Sequence, residues 1–485
     1  MKPTNQQQEI INAAIEGKNI SIEAGAGCAK STTLKFIAEA LPNKNILYLV
    51  FNKDNAEEAK AKFPPNVECR TINSLAYQSI VKHPKSSWGQ RLDTLSLNDI
   101  KIPSGTDEDQ AITWKIFIKK AVTEYMQSGE ENIITFILNQ FNTTDFYNGL
   151  EIADEAEGVK ETAIKNLSVL ALDYWVELTS EKSKTTISHD VYLKLYQLTK
   201  PILIFDIIMV DEFQDSNPVM LDIVLNQKHT QTIVVGDSSQ AIYAFRGAVN
   251  GFDFIPKNFV KLQLTGSYRY TQDIADLGSS VLRLKNVEFP LEGLAKPREI
   301  NSKAIVCRTN VGVLGWLVSA IKDNKKVYSN VALKPIYSAL YHLEAVFSGK
   351  EPKFPSRELL FIKTSKDVAK YAAFVPEINA YSNIYGFIKD NGYNVFSFKQ
   401  EIENVLTTKE KADYSIITCH KAKGMEYDDV TINWDFVPKL KSDTNIFDYY
   451  VENVQEANLL YIGVTRAKTR ITLPEDLENL LLVEE

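Results

Sequence analysis

The sequence predicts an α/β protein with two cores, each a parallel sheet flanked by helices. Short β-branched runs bounded by turn or polar residues occur in two groups, and such runs are typical of buried parallel strands. Amphipathic helical segments separate the runs, as in α/β folds. The first group comprises residues 19–23, 45–51, 206–212 and 232–237, and the second comprises 304–309, 413–419, 429–434 and 469–473.

Length and composition are those of an ordinary globular chain. The chain has 485 residues, 44% apolar and 24% charged, so about two to four domains are expected. The four cysteines form no CxxC pair, which argues against a disulfide framework or zinc ribbon and favours a reducing compartment. No targeting signal and no apolar run of about 18 residues is apparent, so we expect a cytoplasmic or nucleoid location, or the cytoplasm of a host, without a membrane partner. The net charge of −8 means that nucleic acid would have to bind in a local groove.

Long interruptions within both strand groups predict inserted subdomains. The first interruption is loop-like over residues 82–110 and helical over 112–127. A second insertion is expected between the first two strands of the second group. The predicted boundaries are 1–78 and 198–262 for the first core, 79–197 for its insertion, 263–312 and 405–485 for the second core, and 313–404 for a reduced second insertion.

The stretch EAGAGCAKSTT, residues 23–33, predicts a phosphate-binding loop between a strand and a helix. Backbone N–H groups from Gly25 to Ala29 would cradle phosphate oxygens, Lys30 would reach the β- and γ-phosphates, and Ser31 would ligate Mg²⁺. The strict GxxxxGK[ST] pattern is not met, because alanine replaces both glycines. The Ala29 methyl is harmless at negative φ and strained at positive φ. On this stretch alone, a chance Gly/Ala turn remains an alternative.

A second motif, VDEFQD at 210–215, places two acids at the end of an apolar strand. Asp211 would hold Mg²⁺, and Glu212 would orient and deprotonate the water that attacks the γ-phosphate. A solvated turn also explains an isolated acidic strand end. The phosphate loop upstream favours a Walker B motif.

A third motif, GDSSQAIYAFRGA at 236–248, follows the next predicted strand. Tyr243 and Phe245 would be core residues in the simplest interpretation. Their polar neighbours, among them Gln240 and Arg246, favour at least partial exposure of both rings.

Together these motifs resemble the ordered motif series of UvrD/Rep/PcrA-type helicases of superfamily 1. The series continues with SYR at 267–269, CHKAKGMEYDDV at 419–430 and NLLYIGVTRAK at 458–468. It spans nearly the whole chain. The segments at 50–64 and 187–203 resemble the F-box DNA helicase branch. No F-box precedes the motor motifs, so a ubiquitin-ligase role is not expected.

The resemblance implies two RecA-like P-loop NTPase cores, each with an inserted mainly helical subdomain, and ATP and Mg²⁺ as cofactors. It implies that Gln7, or its neighbour Gln8, reads the adenine together with Thr4, that Tyr268 stacks on the base, and that Glu426 touches the ribose or phosphates. The implied catalytic residues are Lys30, Asp211, Glu212, the γ-phosphate sensor Gln240, and the charge-neutralising arginines Arg269 and Arg466. The implied nucleotide-binding residues are Gln7, Gly25, Ala26, Gly27, Cys28, Ala29, Lys30, Ser31, Thr32, Tyr268 and Glu426, with Ser31 and Asp211 as the Mg²⁺ ligands.

The resemblance also implies a groove for single-stranded DNA. Aromatic side chains would stack on bases regardless of sequence, and polar side chains would contact the backbone. Asn73 departs from the relatives, which usually have histidine there. The implied DNA-binding residues are Phe51, Asn52, Thr71, Asn73, Tyr243, Phe245, Thr418, His420 and Lys423.

The implied activity is that of an ATP-dependent DNA helicase or translocase, moving 3′→5′ on single-stranded DNA and acting at junctions of single- and double-stranded DNA as a monomer. Two alternatives stay open. One is a translocase that strips proteins from DNA with little unwinding. The other is a nucleotide-gated DNA-binding or loader subunit with weak hydrolysis, against which Glu212, Arg269 and Arg466 together argue.

Overall fold

Two compact units make up the structure, a computed structural model that describes residues 2–50, 52–82, 88–440 and 445–482. Unit 1 comprises the chain up to Ala24 together with Ala29–Leu264, and unit 2 comprises Gly25–Cys28 and the chain from Thr265 onward. Each unit contains a parallel sheet with helices around it. The predicted α/β class with two parallel-sheet cores is therefore confirmed.

Unit 1 is built on a six-stranded parallel sheet. Its strands are β1 (Ile20–Ala24), β2 (Ile46–Leu49), β3 (Val67–Arg70), β4 (Ile207–Val210), β5 (Gln231–Gly236) and β6 (Val260–Leu264). They lie in the order β3-β2-β4-β5-β1-β6. The four inner strands are almost entirely buried, as their continuous apolar runs predict. Because the strands are parallel, the residues that follow β1, β4 and β5 meet at one edge of the sheet.

The helices of unit 1 cover this sheet and fill the first predicted insertion. They are α1 (Asn5–Ile15), α2 (Lys30–Ala40), α3 (Lys53–Lys62), α4 (Ile72–Ala76), α5 (Glu108–Gln127), α6 (Ile133–Asn139), α7 (Thr144–Gly149), α8 (Glu157–Thr179), α9 (His189–Leu198) and α10 (Pro218–Leu225). Within the insertion, the rings of Phe117 on α5 and Phe146 on α7 pack edge to face at 5.3 Å. The predicted helix over 112–127 is part of α5.

Unit 2 contains a five-stranded parallel sheet and a short two-stranded pair. The pair is β7 (Gly266–Ser267) and β8 (Glu292–Gly293), and the sheet strands are β9 (Lys303–Cys307), β10 (Val327–Tyr328), β11 (Tyr414–Thr418), β12 (Tyr427–Ile432) and β13 (Ala467–Thr472). The sheet order is β10-β11-β9-β12-β13. The helices are α11 (Gln272–Arg283), α12 (Asn310–Lys322), α13 (Leu333–Phe347), α14 (Ser365–Ala372), α15 (Pro376–Asp390), α16 (Val395–Val405), α17 (Cys419–Ala422), α18 (Ile446–Glu452), α19 (Val454–Val464) and α20 (Glu475–Leu482).

The predicted second insertion, 313–404, contains β10 and otherwise consists of helices and the loops that connect them. Two of its helices, α12 and α16, share an apolar core with β9 and β11, where Leu317 and Phe398 pack with Cys307 and Ile416. The boundaries of the inserted subdomains stay a prediction. In the described part of the chain, no helix has the length and hydropathy of a membrane crossing.

Candidate active site and nucleic-acid interface

The two predicted metal ligands lie side by side in unit 1. Asp211 directly follows β4, and Ser31 lies in the first turn of α2. The Ser31 hydroxyl donates to Asp211 Oδ2 at 2.8 Å, and the Glu212 N–H donates to Oδ1 of the same carboxylate at 2.9 Å. The structure thus brings together a hydroxyl and a carboxylate that lie far apart in the sequence.

Tyr48 is a third member of this cluster that the sequence analysis missed. It is buried on β2, next to β4, and its hydroxyl donates to Asp211 Oδ2 at 2.6 Å. Burial, followed by the charge of Asp211, raises the pKa of Tyr48 far above its usual range. The phenol therefore remains protonated and acts as a donor. The only sequence signal is a hydroxyl in the otherwise aliphatic run ILYL.

Asp211 is only 8% exposed. Burial, followed by the Glu212 carboxylate, raises the pKa of Asp211, whereas Tyr48, Lys30 and Ser31 act to lower it. The Ser31 hydroxyl and the Asp211 carboxylate fit Mg²⁺, which prefers oxygen ligands and is usually held by few protein groups together with substrate phosphates. Among the described residues, no cluster of three or more His, Cys, Asp or Glu forms a separate metal cage.

Ala29 has positive φ, so the strained alternative applies. Its backbone lies in the left-handed region at φ 55° and ψ 38°, where a methyl group costs about 1–2 kcal/mol. The Ala29 carbonyl nevertheless accepts the N–H and the hydroxyl of Thr33, both at 3.0 Å. Helix α2 therefore begins at Lys30, directly after the loop, as a phosphate-binding helix requires.

The amide of Gln7, the predicted adenine reader, is bonded within unit 1. Its Oε1 accepts the Thr4 N–H at 3.0 Å, and its Nε2 donates to Thr33 Oγ1 at 3.0 Å. Gln7 thereby ties the start of α1 to the first turn of α2. Its alternative, Gln8, donates to Asn12 on the exposed side of α1. Adenine recognition by Gln7 stays a prediction.

The predicted γ-phosphate sensor, Gln240, lies in a turn after β5. Its Nε2 donates to Asp237 Oδ2 at 2.7 Å, and the residue is 4% exposed. The fully buried Gln214 accepts the Asp237 N–H at 3.0 Å and donates to Glu212 Oε2 at 2.6 Å. One amide therefore connects Glu212, the predicted catalytic acid, to the turn that holds the predicted sensor. A Cβ at Gly236 would lie 2.2 Å from Gln214 Oε1, so this close approach requires glycine.

In unit 2, the two predicted catalytic arginines converge on Thr465. Arg269 Nη1 donates to the Thr465 carbonyl at 3.5 Å, and Arg466 Nη2 donates to its hydroxyl at 3.1 Å. Arg466 is 1% exposed and also donates to the carbonyls of Ile462 and Met425 at 3.0 and 3.1 Å. Its guanidinium therefore holds the backbone of unit 2, and its catalytic role stays a prediction.

Glu426 joins Arg269 through an ion pair. Arg269 Nε lies 3.0 Å from Glu426 Oε2, and Lys468 Nζ lies 3.1 Å from Oε1. Burial acts to raise the pKa of Glu426, but the bond from Lys468 and the charge of Arg269 lower it overall. Lys468 was not among the predicted site residues. Tyr268, the predicted base-stacking residue, is 60% exposed.

Two of the predicted DNA-binding aromatics form a partly exposed cluster in unit 1. Phe245 is 69% exposed, and its ring lies 6.2 Å from that of Tyr243. The Arg246 guanidinium lies 5.7 Å from the Tyr243 ring centre and 5.5 Å from the Phe245 ring centre. The partial exposure expected from the polar neighbours is present.

The remaining predicted DNA-binding residues are distributed over both units. In unit 1, Asn52 and Thr71 cap the N-termini of α3 and α4, and Asn73 lies within α4. Phe51 lies outside the described residues. In unit 2, three predicted residues lie at the end of β11 or in and after α17, namely Thr418, His420 and Lys423.

Two family models and several known proteins match this chain. The family model described as UvrD/REP helicase N-terminal domain matches residues 4–252, and that of the UvrD-like helicase C-terminal domain matches 361–475. F-box DNA helicase 1 of Gallus gallus is 31% identical over 99% of this chain and 50% of its own length. F-box DNA helicase protein 1 of Schizosaccharomyces pombe is 26% identical over 99% of this chain and 58% of its own length. The chain therefore spans about half the length of these curated relatives.

Proposed function

The chain belongs to the UvrD/REP helicase family, and on that premise we propose that it is an ATP-dependent DNA helicase or translocase. It would move 3′→5′ on single-stranded DNA and open duplex at junctions, with a monomer as the active form. The observation that supports this most is the contact of Ser31 with Asp211. A metal–nucleotide site with both acids in place is what hydrolysis requires, beyond nucleotide binding.

The proposed chemistry uses side chains at one edge of the unit 1 sheet. Lys30 and the N-terminus of α2 would bind the phosphates, and Ser31 and Asp211 would hold Mg²⁺. The metal, when bound, would neutralise charge on the β- and γ-phosphate oxygens. Glu212 would orient the attacking water and accept its proton, and Gln214 fixes one Glu212 oxygen for this task.

The proposed DNA track begins a few residues after the sensor. Gln240 is followed within five residues by Tyr243 and Phe245, the exposed stacking cluster. Stacking contributes roughly 1–3 kcal/mol per base and accepts every base, which suits a motor on arbitrary sequence. Because the link is short, a movement of Gln240 at the γ-phosphate would also move the aromatic residues that contact the DNA.

ATP turnover with and without single-stranded DNA tests the proposal. We expect DNA to stimulate hydrolysis, and we expect forks with a 3′ tail to be unwound faster than forks with a 5′ tail. Lys30→Ala should abolish turnover, whereas Glu212→Gln should bind ATP and DNA but stall. Lys35→Ala, on the exposed face of the same helix, is the matched control. Normal steady-state turnover in either site variant would contradict the assignment.

The second candidate function is a nucleotide-gated loader with weak hydrolysis. It is favoured by the bonding of Arg466 within unit 2 and by the strain at Ala29. Tight ATP and DNA binding without DNA-stimulated turnover would decide for the loader. Tracking along DNA that displaces bound protein but leaves forks intact would instead indicate a stripping translocase.

A further inference from the structure

A third acid, Glu23, lies beside the proposed nucleotide site. It is the penultimate residue of β1, immediately before the phosphate loop, and pairs in parallel register with Gly236 of β5. Its Oε1 accepts the Ser238 N–H at 2.7 Å, and its Oε2 accepts the Ser238 hydroxyl at 2.9 Å. Both carboxylate oxygens therefore hold the same residue of the neighbouring turn.

That turn carries the predicted sensor. Asp237 caps it by accepting the Ser239 N–H at 3.0 Å and the Gln240 amide at 2.7 Å. The Gln240 backbone N–H donates to the Asp237 carbonyl at 2.8 Å. The position of Gln240 consequently depends on where Ser238 and Asp237 are held, and Glu23 is the side chain from β1 that holds Ser238.

Placing the Glu23 carboxylate at this partly buried position costs free energy, and a functional role would account for that cost. Burial, followed by the nearby Asp237 carboxylate, raises the pKa of Glu23 to about 7, although the Ser238 bonds and the Lys30 ammonium act to lower it. An aliphatic side chain at the end of a buried strand would avoid this cost. Ionisable groups with strongly shifted pKa values are typical of functional sites.

We propose that Glu23 is a positioning residue that fixes Gln240 through Ser238, and so links the strand that leads into the phosphate loop to the γ-phosphate sensor. This inference rests on the proposed ATPase function. Glu23 itself would touch neither the nucleotide nor the attacking water.

The test compares Glu23→Leu with Glu23→Gln. Leucine removes both contacts, whereas glutamine keeps them, since its Oε1 accepts the Ser238 N–H and its Nε2 donates to the Ser238 hydroxyl. We expect Glu23→Leu to lower the kcat of DNA-stimulated ATP hydrolysis by about tenfold to a hundredfold, as misplaced groups do, with a much smaller change in the KM for ATP. Glu23→Gln should restore most of kcat. Glu39→Leu, an exposed acid on α2, is the matched control.

Three results would overturn the inference. These are an unchanged kcat in Glu23→Leu, equal losses in the leucine and glutamine variants, and a kcat loss that only follows the loss of folded protein, measured by thermal denaturation. A second measurement does not depend on turnover. Hydrogen exchange of the Ser238 amide should be faster in Glu23→Leu than in the wild type, because its acceptor is gone. A wild type without ATPase would overturn the proposed function, whereas unchanged exchange would overturn the positioning role alone.

Discussion

Glu23 gives the protein a pH-dependent stability that one substitution should remove. Its pKa is raised to about 7 in the folded state by burial and by Asp237, against an ordinary value of 4.5. Between these values the folded chain binds more protons than the unfolded chain. The free energy of unfolding therefore falls as the pH rises from about 4.5 to about 7.

The size of this effect follows from the two pKa values. The full difference between the pKa values of 4.5 and about 7 corresponds to at most about 3.4 kcal/mol, of which about 2 kcal/mol is lost between pH 5.5 and pH 8. Glu23→Gln carries no charge at any pH and should lack this loss. For a unit of this size, about 2 kcal/mol moves the thermal midpoint by roughly 4–8 °C.

Thermal denaturation at pH 5.5 and pH 8 measures the effect when the change in thermal midpoint of the wild type is compared with that of Glu23→Gln. The midpoint of the wild type should fall between these pH values by several degrees more than that of Glu23→Gln. Glu39→Gln, which removes an exposed acid from α2, should retain the wild-type pH dependence. If Glu23→Gln loses as much stability as the wild type between the two pH values, the carboxyl ionises without cost and the reasoning is refuted.

Three further substitutions test the predicted DNA groove, the arginine buried in unit 2 and the predicted phosphate loop. Phe245→Ala should weaken affinity for single-stranded DNA by about 1–3 kcal/mol. It should not lower the thermal midpoint, because the ring is 69% exposed. The control is Phe254→Ala, at a 53% exposed residue outside the predicted groove, and an equal loss of DNA affinity in this variant would contradict the prediction. Arg466→Ala should lower the thermal midpoint, since each buried acceptor left without a donor costs about 1–3 kcal/mol. The rate of ATP hydrolysis per folded molecule of Arg466→Ala then tests whether Arg466 is catalytic. An unchanged rate would exclude a catalytic role. Ala29→Gly should retain ATP hydrolysis and raise the thermal midpoint slightly. Relief of strain contributes about 1–2 kcal/mol to stability, which exceeds the roughly 0.4–1 kcal/mol that glycine costs by adding freedom to the unfolded chain. A lower midpoint would show that the methyl group is not strained.

The strands were predictable where the sequence contains a short β-branched run. Each of the eight apolar runs coincides with a strand. β3, β6 and β10, which lie at sheet edges, were not predicted. β3 and β6 each contain a single buried residue and charged or polar residues between the apolar ones, so neither strand contains the continuous apolar run that marks a central parallel strand.

The site was predictable only as far as its motifs reach. Ser31 and Asp211 were predicted and are in contact, because each belongs to a local pattern with a known chemistry. Tyr48 and Glu23 were missed although they contact this region, since their partners lie 163 and 215 residues away in the chain. Which side chain of one strand meets the end of another depends on sheet order and register, and neither is encoded in a local motif.

Conformation, and not glycine itself, is what the phosphate loop requires. Ala29 and Glu212 both have left-handed backbones, at φ 55° and 53°, and such residues cost about 1–3 kcal/mol each and persist only where their surroundings fix them. Here Thr33 donates twice to the Ala29 carbonyl, and Asp211 accepts the Glu212 N–H. The two strained residues lie on either side of the contact between α2 and the acid motif. Alanine at position 29 is therefore compatible with a working loop, because the turn keeps the backbone that glycine would adopt without strain.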